Sequence, residues 1–352
     1  MPVLNKEDKN EVLRYNEFVQ NFNGASLMQD LGWGEVKNNW KKEGIYIEEN
    51  GKICATMMVL FEKIPKINAY MMYAPRGPVC DIYNIELVKK LVEEANKLAK
   101  INKAFVLKID PQVVYDDKLA KIYMDAGFRV SPKDADIDSL IQPIQNVVLN
   151  IKNKTEEELL KGFMEKTRYN IRLSNRKGIS VNYSHDIKDL EIFYEIYKIT
   201  TIRDKIGCRS FEYFERMLNA YDEKHLRIYI AKHENTNLSA AIALNFGGEL
   251  FYLYGASSNE KRNLMPNYAM QWEMIKWGID TKCCTYNFGG LLTLDKDNGL
   301  YKFKTGFCTV NGIEKYIGEI DKIYNKAIYL LYSKGLPIYK KVGRKLKGMK
   351  TH

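Results

Sequence analysis

Residues 44–73, GIYIEENGKICATMMVLFEKIPKINAYMMY, and residues 227–254, RIYIAKHENTNLSAAIALNFGGELFYLY, are one pattern written twice. Each holds three runs rich in β-branched and aromatic residues, at 44–47, 53–61 and 69–73 in the first copy and 227–230, 239–245 and 250–254 in the second. Asn50-Gly51 and Gly247-Gly248 separate members of each trio as hairpin loops do. A repeat spacing of roughly 180 residues is far longer than a solenoid unit, so it reads as the duplication of a domain.

Each trio is followed by a helix and a buried strand. Residues 85–100 place Leu87, Leu91, Ala95 and Leu98 at helical spacing. Residues 266–280 form the equivalent helix, opened by Pro266, whose missing N–H costs nothing in a first turn. Strands at 104–110 (AFVLKID) and 285–289 (TYNFG) close the two copies. A meander, a helix and a further strand beside the meander make an α+β plan. The expected division is a first domain over 1–145, a second over 146–320, and a C-terminal segment over 321–352 packing back on the first. That last segment reads as a helix at 321–333 and a basic tail.

With 352 residues, 45% hydrophobic and 28% charged, the chain is long enough for two domains with their own cores. Cys54, Cys80, Cys208, Cys283, Cys284 and Cys308 have no regular spacing, and only Cys283-Cys284 are adjacent, so reduced thiols are expected. No Cys-x-x-Cys pair occurs and His185, His225, His233 and His352 are scattered, so neither metal nor other cofactor is expected. The charged N-terminus is neither signal nor transit peptide, and no stretch approaches the roughly 20 apolar residues of a membrane span. The expected location is therefore the cytoplasm. A net charge of +10 favours polyanionic partners, among them RNA, anionic lipid and phosphorylated substrates.

The order of elements resembles the GNAT acyltransferase core, which implies two GNAT-like domains in tandem. Fold alone names no reaction. A GNAT enzyme using acetyl-CoA has a Gly-rich turn before its long helix, where backbone N–H groups hold the pyrophosphate. Here that stretch is Glu260-Lys261-Arg262-Asn263-Leu264-Met265-Pro266-Asn267-Tyr268, without glycine, and Pro266 removes a further donor. CoA is not expected as a partner.

Five runs resemble the Fem family of peptidoglycan bridge-forming aminoacyltransferases, in the family's order and over nearly the whole chain. They are LMQDLGWGEVK (27–37), YAPRGPVCD (73–81), KTRYNIR (166–172), YLYGASS (252–258) and GLYKFKTGF (299–307). Between Arg209 and Tyr254 there is room only for one helix and strands, without the heptads of the family's coiled-coil arm, so the chain resembles the compact, armless members. The resemblance implies transfer of Gly, Ala or Ser from aminoacyl-tRNA to the stem-peptide amine of lipid II, or of UDP-MurNAc-pentapeptide. Such aminolysis needs positioning and charge stabilisation more than a nucleophilic side chain, which agrees with the lack of a Ser/His/Asp or Cys/His constellation.

By the same resemblance, Lys304 is the cation for the developing oxyanion and Phe303 packs to order it. Lys37 and Arg209 resemble the pair that binds the acceptor's diphosphate, with Tyr213 four residues after Arg209 on the same helical face. Tyr254 is a further acceptor contact, although a strand tyrosine is most often core packing. Asp110, at the rim of the first closing strand, is a candidate proton acceptor or amine-orienting group, with turn chemistry before Pro111 as the plain alternative. Arg168, Arg172, Arg176 and Lys177 lie along one helix ending at Gly178 and suit tRNA phosphates, or simply form a solvated face. The tail from Lys340 to Lys350 suits anionic lipid, and with it a peripheral place at the inner face of the membrane. Rival readings are a CoA-dependent N-acyltransferase and a non-catalytic RNA- or membrane-binding protein on the same fold.

Overall fold

The structure is a computed structural model that describes residues 3–65, 67–135, 140–308 and 312–335. These residues form two compact units, one running to Ile144 and resuming at Lys315, the other Gln145–Glu314.

The first unit opens with α1 (Lys9–Asn21), capped by Asp8, and the short α2 (Leu31–Val36), capped by Asp30. The meander follows as β1 (Lys41–Glu49), β2 (Lys52–Lys63) and β3 (Tyr70–Ala74), antiparallel throughout. The amphipathic α3 (Ile85–Ile101) crosses over to β4 (Ala104–Ile109), which pairs parallel with β3. Next come α4 (Asp117–Asp125) and β5 (Arg129–Val130). All six residues of β4 are buried, as a strand covered on both faces must be. Val88, Leu91, Ala95 and Leu98 of α3 pack on Met57, Val59, Met72 and Leu107 from the sheet.

The second unit begins with β6 (Gln145–Asn150), α5 (Glu156–Gly162), α6 (Glu165–Arg176) and β7 (Ile179–Ser184). Two helices, α7 (Ile187–Arg203) and α8 (Phe211–Ala220), precede its meander of β8 (Leu226–His233), β9 (Thr236–Phe246) and β10 (Glu249–Ser257). The crossover helix α9 (Pro266–Asp280) leads to β11 (Thr285–Gly290), parallel to β10, followed by α10 (Gly299–Thr305) and β12 (Ile313–Lys315). The sheet order is β12-β6-β11-β10-β9-β8-β7. The two copies thus share meander, crossover helix and parallel pair, and the α+β, tandem GNAT-like reading holds. In both hairpins the turn residues are left-handed, Asn50 (φ 51°) with Gly51 (77°) and Gly247 (57°) with Gly248 (80°), as a tight turn matching strand twist requires. Among the described residues no helix exceeds the 17 residues of α3 and α7, and none is long and apolar enough to cross a membrane.

The expected helix over 321–333 starts later. Residues Ile320–Ile323 form β13, antiparallel to β4 on one side and β5 on the other, and the helical residues are 326–335. Alternation explains the difference: Ile320 (0% exposed) enters the core, while Asp321 (0%) and Glu319 (4%) meet Lys108 of β4. Lys108 Nζ lies 2.5 Å from Glu319 Oε2 and 3.0 Å from Asp321 Oδ1. Tyr329 Oη donates to Asp321 Oδ2 at 2.5 Å, and the Ile141 N–H donates to Glu319 Oε1 at 2.6 Å. Burial alone would lower the Lys108 pKa, but the charges of Asp321 and Glu319 raise it above the ordinary lysine value. The basic tail over 340–350 lies outside the described residues.

Removing one member of this cluster strands buried charge. Lys108→Met is expected to cost about 3–5 kcal/mol in urea unfolding, while adding Glu319→Gln and Asp321→Asn to it returns most of the loss. Equal stability of single and triple variants would contradict this account.

Candidate functional site

In the second unit the two central parallel strands come apart. β10 and β11 are paired only from Glu249/Thr285 to Phe251/Asn287, yet β10 continues to Ser257 and β11 to Gly290. In the first unit the equivalent pair stays closed to its last residues, Ala74 and Ile109. Backbone groups left open in the second unit find other partners, as buried ones must. The Gly289 N–H donates to Asn287 Oδ1 (2.8 Å), the Gly290 carbonyl accepts from Lys304 Nζ (2.9 Å), and Thr200 and Arg203 of α7 bond both polar groups of Ser257.

Lys304 stands in the last turn of α10, held there by the Asn298 cap at the other end. It is only 6% exposed. Burial lowers its pKa to about 8, with no carboxylate contributing. Gly289, beside it, has φ +77°, the left-handed conformation that favours glycine.

The opposite side of α10 faces a cavity of about 1020 Å³. Phe303 lines it and packs edge-on to Tyr268 (5.0 Å between centroids) and Phe307 (5.7 Å). Tyr301 continues the aromatic wall, and Lys166, Lys296 and Lys302 stand around it. The sequence reading left out Tyr268, Tyr301 and Lys166. Tyr268 belongs to the stretch examined for glycine, and nothing local distinguishes it from a core aromatic in the first turn of α9.

A β-bulge between Tyr252 and Tyr254 shifts β10 against β9, and such a bulge re-aims the side chains beyond it. Tyr254 Oη donates to Tyr213 Oη (3.2 Å), and its ring packs on Phe214 and Tyr197. Gly255 leaves room for Tyr252, whose hydroxyl would sit 1.5 Å from any Cβ there. Arg209 precedes α8 instead of lying on it, because Ser210 is the N-cap. Its guanidinium still lies over the Tyr213 ring at 5.2 Å, so the two remain together. Arg209 is exposed and Tyr213 buried.

In the first unit, Asp110 is 2% exposed and its two oxygens are engaged by the Tyr73 hydroxyl (2.8 Å) and the Arg76 N–H (2.5 Å). Arg76 has φ +56°, a left-handed conformation rare outside glycine, so Asp110 fixes the turn that follows β3. Gln29 braces the same turn, bonding the Pro75 carbonyl and both polar backbone groups of Met58. Burial raises the Asp110 pKa to about 6, against the lowering effect of Arg76. Lys37 is the C-cap of α2, half-buried, with its ammonium 5.4 Å from the Trp33 ring centroid.

On α6, Arg172, Arg176 and the C-cap Lys177 are exposed, and the chain turns at Gly178 (φ 77°). Arg168 departs from this face: it is half-buried and donates to the Phe163 and Lys161 carbonyls at the end of α5. Those carbonyls lack helical partners, so a guanidinium within reach is drawn to them. Among the described residues no group of three His, Cys, Asp or Glu is placed to hold a metal.

A family model described as the FemAB family matches residues 11–235 and 229–334. Among curated proteins, the chain is 36% identical over 334 residues to a UDP-N-acetylmuramoylpentapeptide-lysine N(6)-alanyltransferase of Weissella viridescens, covering 94% of this chain and 98% of that one. It is 30% identical to a lipid II:glycine glycyltransferase of Staphylococcus epidermidis, covering 95% and 98%. That second alignment runs to 410 positions, more than the 352 residues of this chain, so the glycyltransferase carries insertions lacking here. Among solved structures, FemX superposes with a TM-score of 0.84 at 28% identity over 92% of this chain and 98% of that one. A tandem GNAT protein from the clavulanic acid pathway shares the fold, with a TM-score of 0.53 at 9% identity over 92% and 97%.

The burial of Asp110 has a consequence for stability against pH. Its folded pKa near 6 exceeds the ordinary 3.8, so its contribution to stability is fully present below the unfolded value and lost as pH rises through about 6. Asp110→Asn, which keeps an acceptor for the Arg76 N–H, is expected to erase that fall in chemical unfolding. Asp110→Ala is expected to cost about 1–3 kcal/mol at neutral pH. A wild-type-like pH profile in the Asn variant would assign the fall to another group, and an undiminished stability of Asp110→Ala would count against the turn-anchor role.

Proposed function

The chain belongs to the FemAB family, and on that premise we propose that it transfers an amino acid from aminoacyl-tRNA to the stem-peptide amine of a peptidoglycan precursor. The observation that carries this reading is Lys304, a buried ammonium without a carboxylate partner among the described residues, at the point where a parallel strand pair opens.

In the reaction the acceptor amine attacks the ester carbonyl of the donor, whose π electrons move onto oxygen. Lys304 donates a hydrogen bond to that oxyanion, and in a poorly solvated site one charged donor is worth several kilocalories, ~3 kcal/mol by analogy with other oxyanion donors. Collapse expels the ribose oxygen, which gains a proton while the new amide nitrogen loses one. Phe303 holds α10 in place through Tyr268 and Phe307. The cavity on its far side, with aromatic walls and lysines around it, suits the single-stranded end of a tRNA, since bases stack on rings and phosphates attract ammonium groups. Arg172, Arg176 and Lys177 offer tRNA phosphates a further basic face; Arg168 is withdrawn from that role.

For the acceptor, Arg209 over Tyr213, with Tyr254, supplies a guanidinium for a diphosphate and hydroxyls beside it. Lys37 keeps its proposed phosphate role from the first unit. Asp110 is a positioning residue for the Arg76 turn. Lipid II at the membrane surface is one acceptor, in keeping with the basic tail. UDP-MurNAc-pentapeptide is the second, favoured by the 36% identical alanyltransferase, which aligns with this chain over 334 residues and whose name specifies that nucleotide.

The test is incorporation of labelled Gly, Ala or Ser from its charged tRNA into each acceptor. Failure of every pairing overturns the proposal. Lys304→Met is expected to lower kcat by roughly a hundredfold or more with little change in acceptor binding. Lys304 is charged below about pH 8 and neutral above it, so the rate ratio of wild type to Lys304→Arg is expected to fall as pH rises through 8. A ratio that instead climbs would identify Lys304 as a base.

A further inference from the structure

The helical residues 326–335 expose large apolar side chains without burying them elsewhere in their unit. Tyr329 is buried, and Ile328 and Tyr332 pack on the cluster around Phe105 and Met71. Leu330 and Leu331, between them, are 57% and 62% exposed. Lys326, Leu330 and Lys334 are spaced at i, i+4 and i+8, so the outward stripe is a leucine between two lysines, with Leu331 at its flank. Apolar tips framed by long cationic side chains are the pattern of a helix lying in a bilayer interface, where ammonium groups snorkel to the headgroups.

Beside this helix lies a cavity of about 710 Å³, built from the first turn of the helix, the end of β13, the end of α3 and the starts of β3 and β4. Lys100, Lys103 and Lys322 line it. Two of its lining side chains have buried polar atoms without a hydrogen-bond partner among the described residues, Asn96 Oδ1 and Tyr324 Oη. The described segments meeting here carry one sign of charge: residues 67–80, 96–108 and 322–335 contain no Asp or Glu. The sequence beyond, outside the described residues, adds Lys340, Lys341, Arg344, Lys345, Lys347 and Lys350.

We propose that this end of the first unit docks on an anionic bilayer surface, Leu330 and Leu331 entering the interface while the lysine-lined cavity takes a lipid phosphate. Lys100, Lys103 and Lys322 along the cavity wall supply the ammonium groups for the phosphate oxygens. The chemistry fits lipid better than nucleic acid, because an RNA partner gives exposed leucines nothing to bury against. A surface of this kind concentrates the enzyme where a lipid-linked acceptor lies. It rests on the transferase reading only for that purpose, since the docking itself involves no residue assigned to catalysis.

The experiment is flotation of the full-length protein with vesicles of phosphatidylcholine alone and of phosphatidylcholine mixed with phosphatidylglycerol. Binding is expected only to the anionic vesicles and is expected to weaken as salt rises. Leu330→Ser with Leu331→Ser should weaken it roughly tenfold or more. Lys322→Glu, Lys326→Glu and Lys334→Glu together should weaken it about a hundredfold. Both leucines are exposed, so the Ser variant should keep the wild-type melting curve and transfer to the soluble nucleotide acceptor at the wild-type rate. No binding of the wild type to anionic vesicles overturns the proposal, as does undiminished binding by the leucine variant. A concentration-dependent dimer dispersed by the leucine changes would assign the patch to a second copy instead. Vesicle binding is read without any substrate, so failure of the transfer assay leaves this result standing.

Discussion

Where β10 and β11 stop bonding each other, the second unit must satisfy strand backbone by other means, and that requirement organises its functional end. Asn287 turns its side chain back to the Gly289 N–H, and Lys304 is held by the Gly290 carbonyl. The same opening allows an ammonium to be buried without a counter-charge. Had the strands stayed paired as β3 and β4 do, the Gly290 carbonyl would have less need of Lys304.

Among the described residues two lysines are buried to almost the same degree, Lys108 at 4% exposure and Lys304 at 6%, in opposite surroundings. Desolvation works against both charges. At Lys108 two carboxylates more than offset it, raising the pKa and tying β13 to β4. At Lys304 no carboxylate among the described residues offsets it, the Gly290 carbonyl being its hydrogen-bond partner, and the pKa falls to about 8. A buried cation that is fully paired serves the fold, whereas one left with vacant donors is poised to gain from a negative charge that a substrate develops. Partner chemistry separates the two where burial does not.

The fold was legible because its signals are local. Alternating β-branched runs, the Asn50-Gly51 and Gly247-Gly248 turns and the Leu87, Leu91, Ala95, Leu98 face each report on neighbouring residues alone. β13 was not, because Asp321 and Lys322 read as helix surface until Lys108, more than two hundred residues earlier, supplies the partner that makes Asp321 a core residue. The site divides along the same line. Lys304 and Phe303 were reached through a motif, while the openness of the strand pair beside them depends on which backbone atoms are left unpaired. Arg168 was misjudged for a related reason: its spacing with Arg172 and Arg176 is right for one face, but the α5 carbonyls that draw it inward belong to another helix.

Duplication followed by divergence accounts for the asymmetry between units. In each, the residues just beyond the parallel pair decide its use. The first unit follows β4 with Asp110, whose carboxylate anchors Arg76 in a left-handed turn and so keeps the strand ends together. In the second unit β11 ends in Gly289 and Gly290, which have no side chain to form such a clamp, and Gly289 adopts φ +77°. The ammonium of Lys304 bonds the Gly290 carbonyl at this open end. The proposed reaction site thus lies in the unit whose parallel pair opens beside two glycines, while the other pair stays closed to its end next to a turn held by a carboxylate.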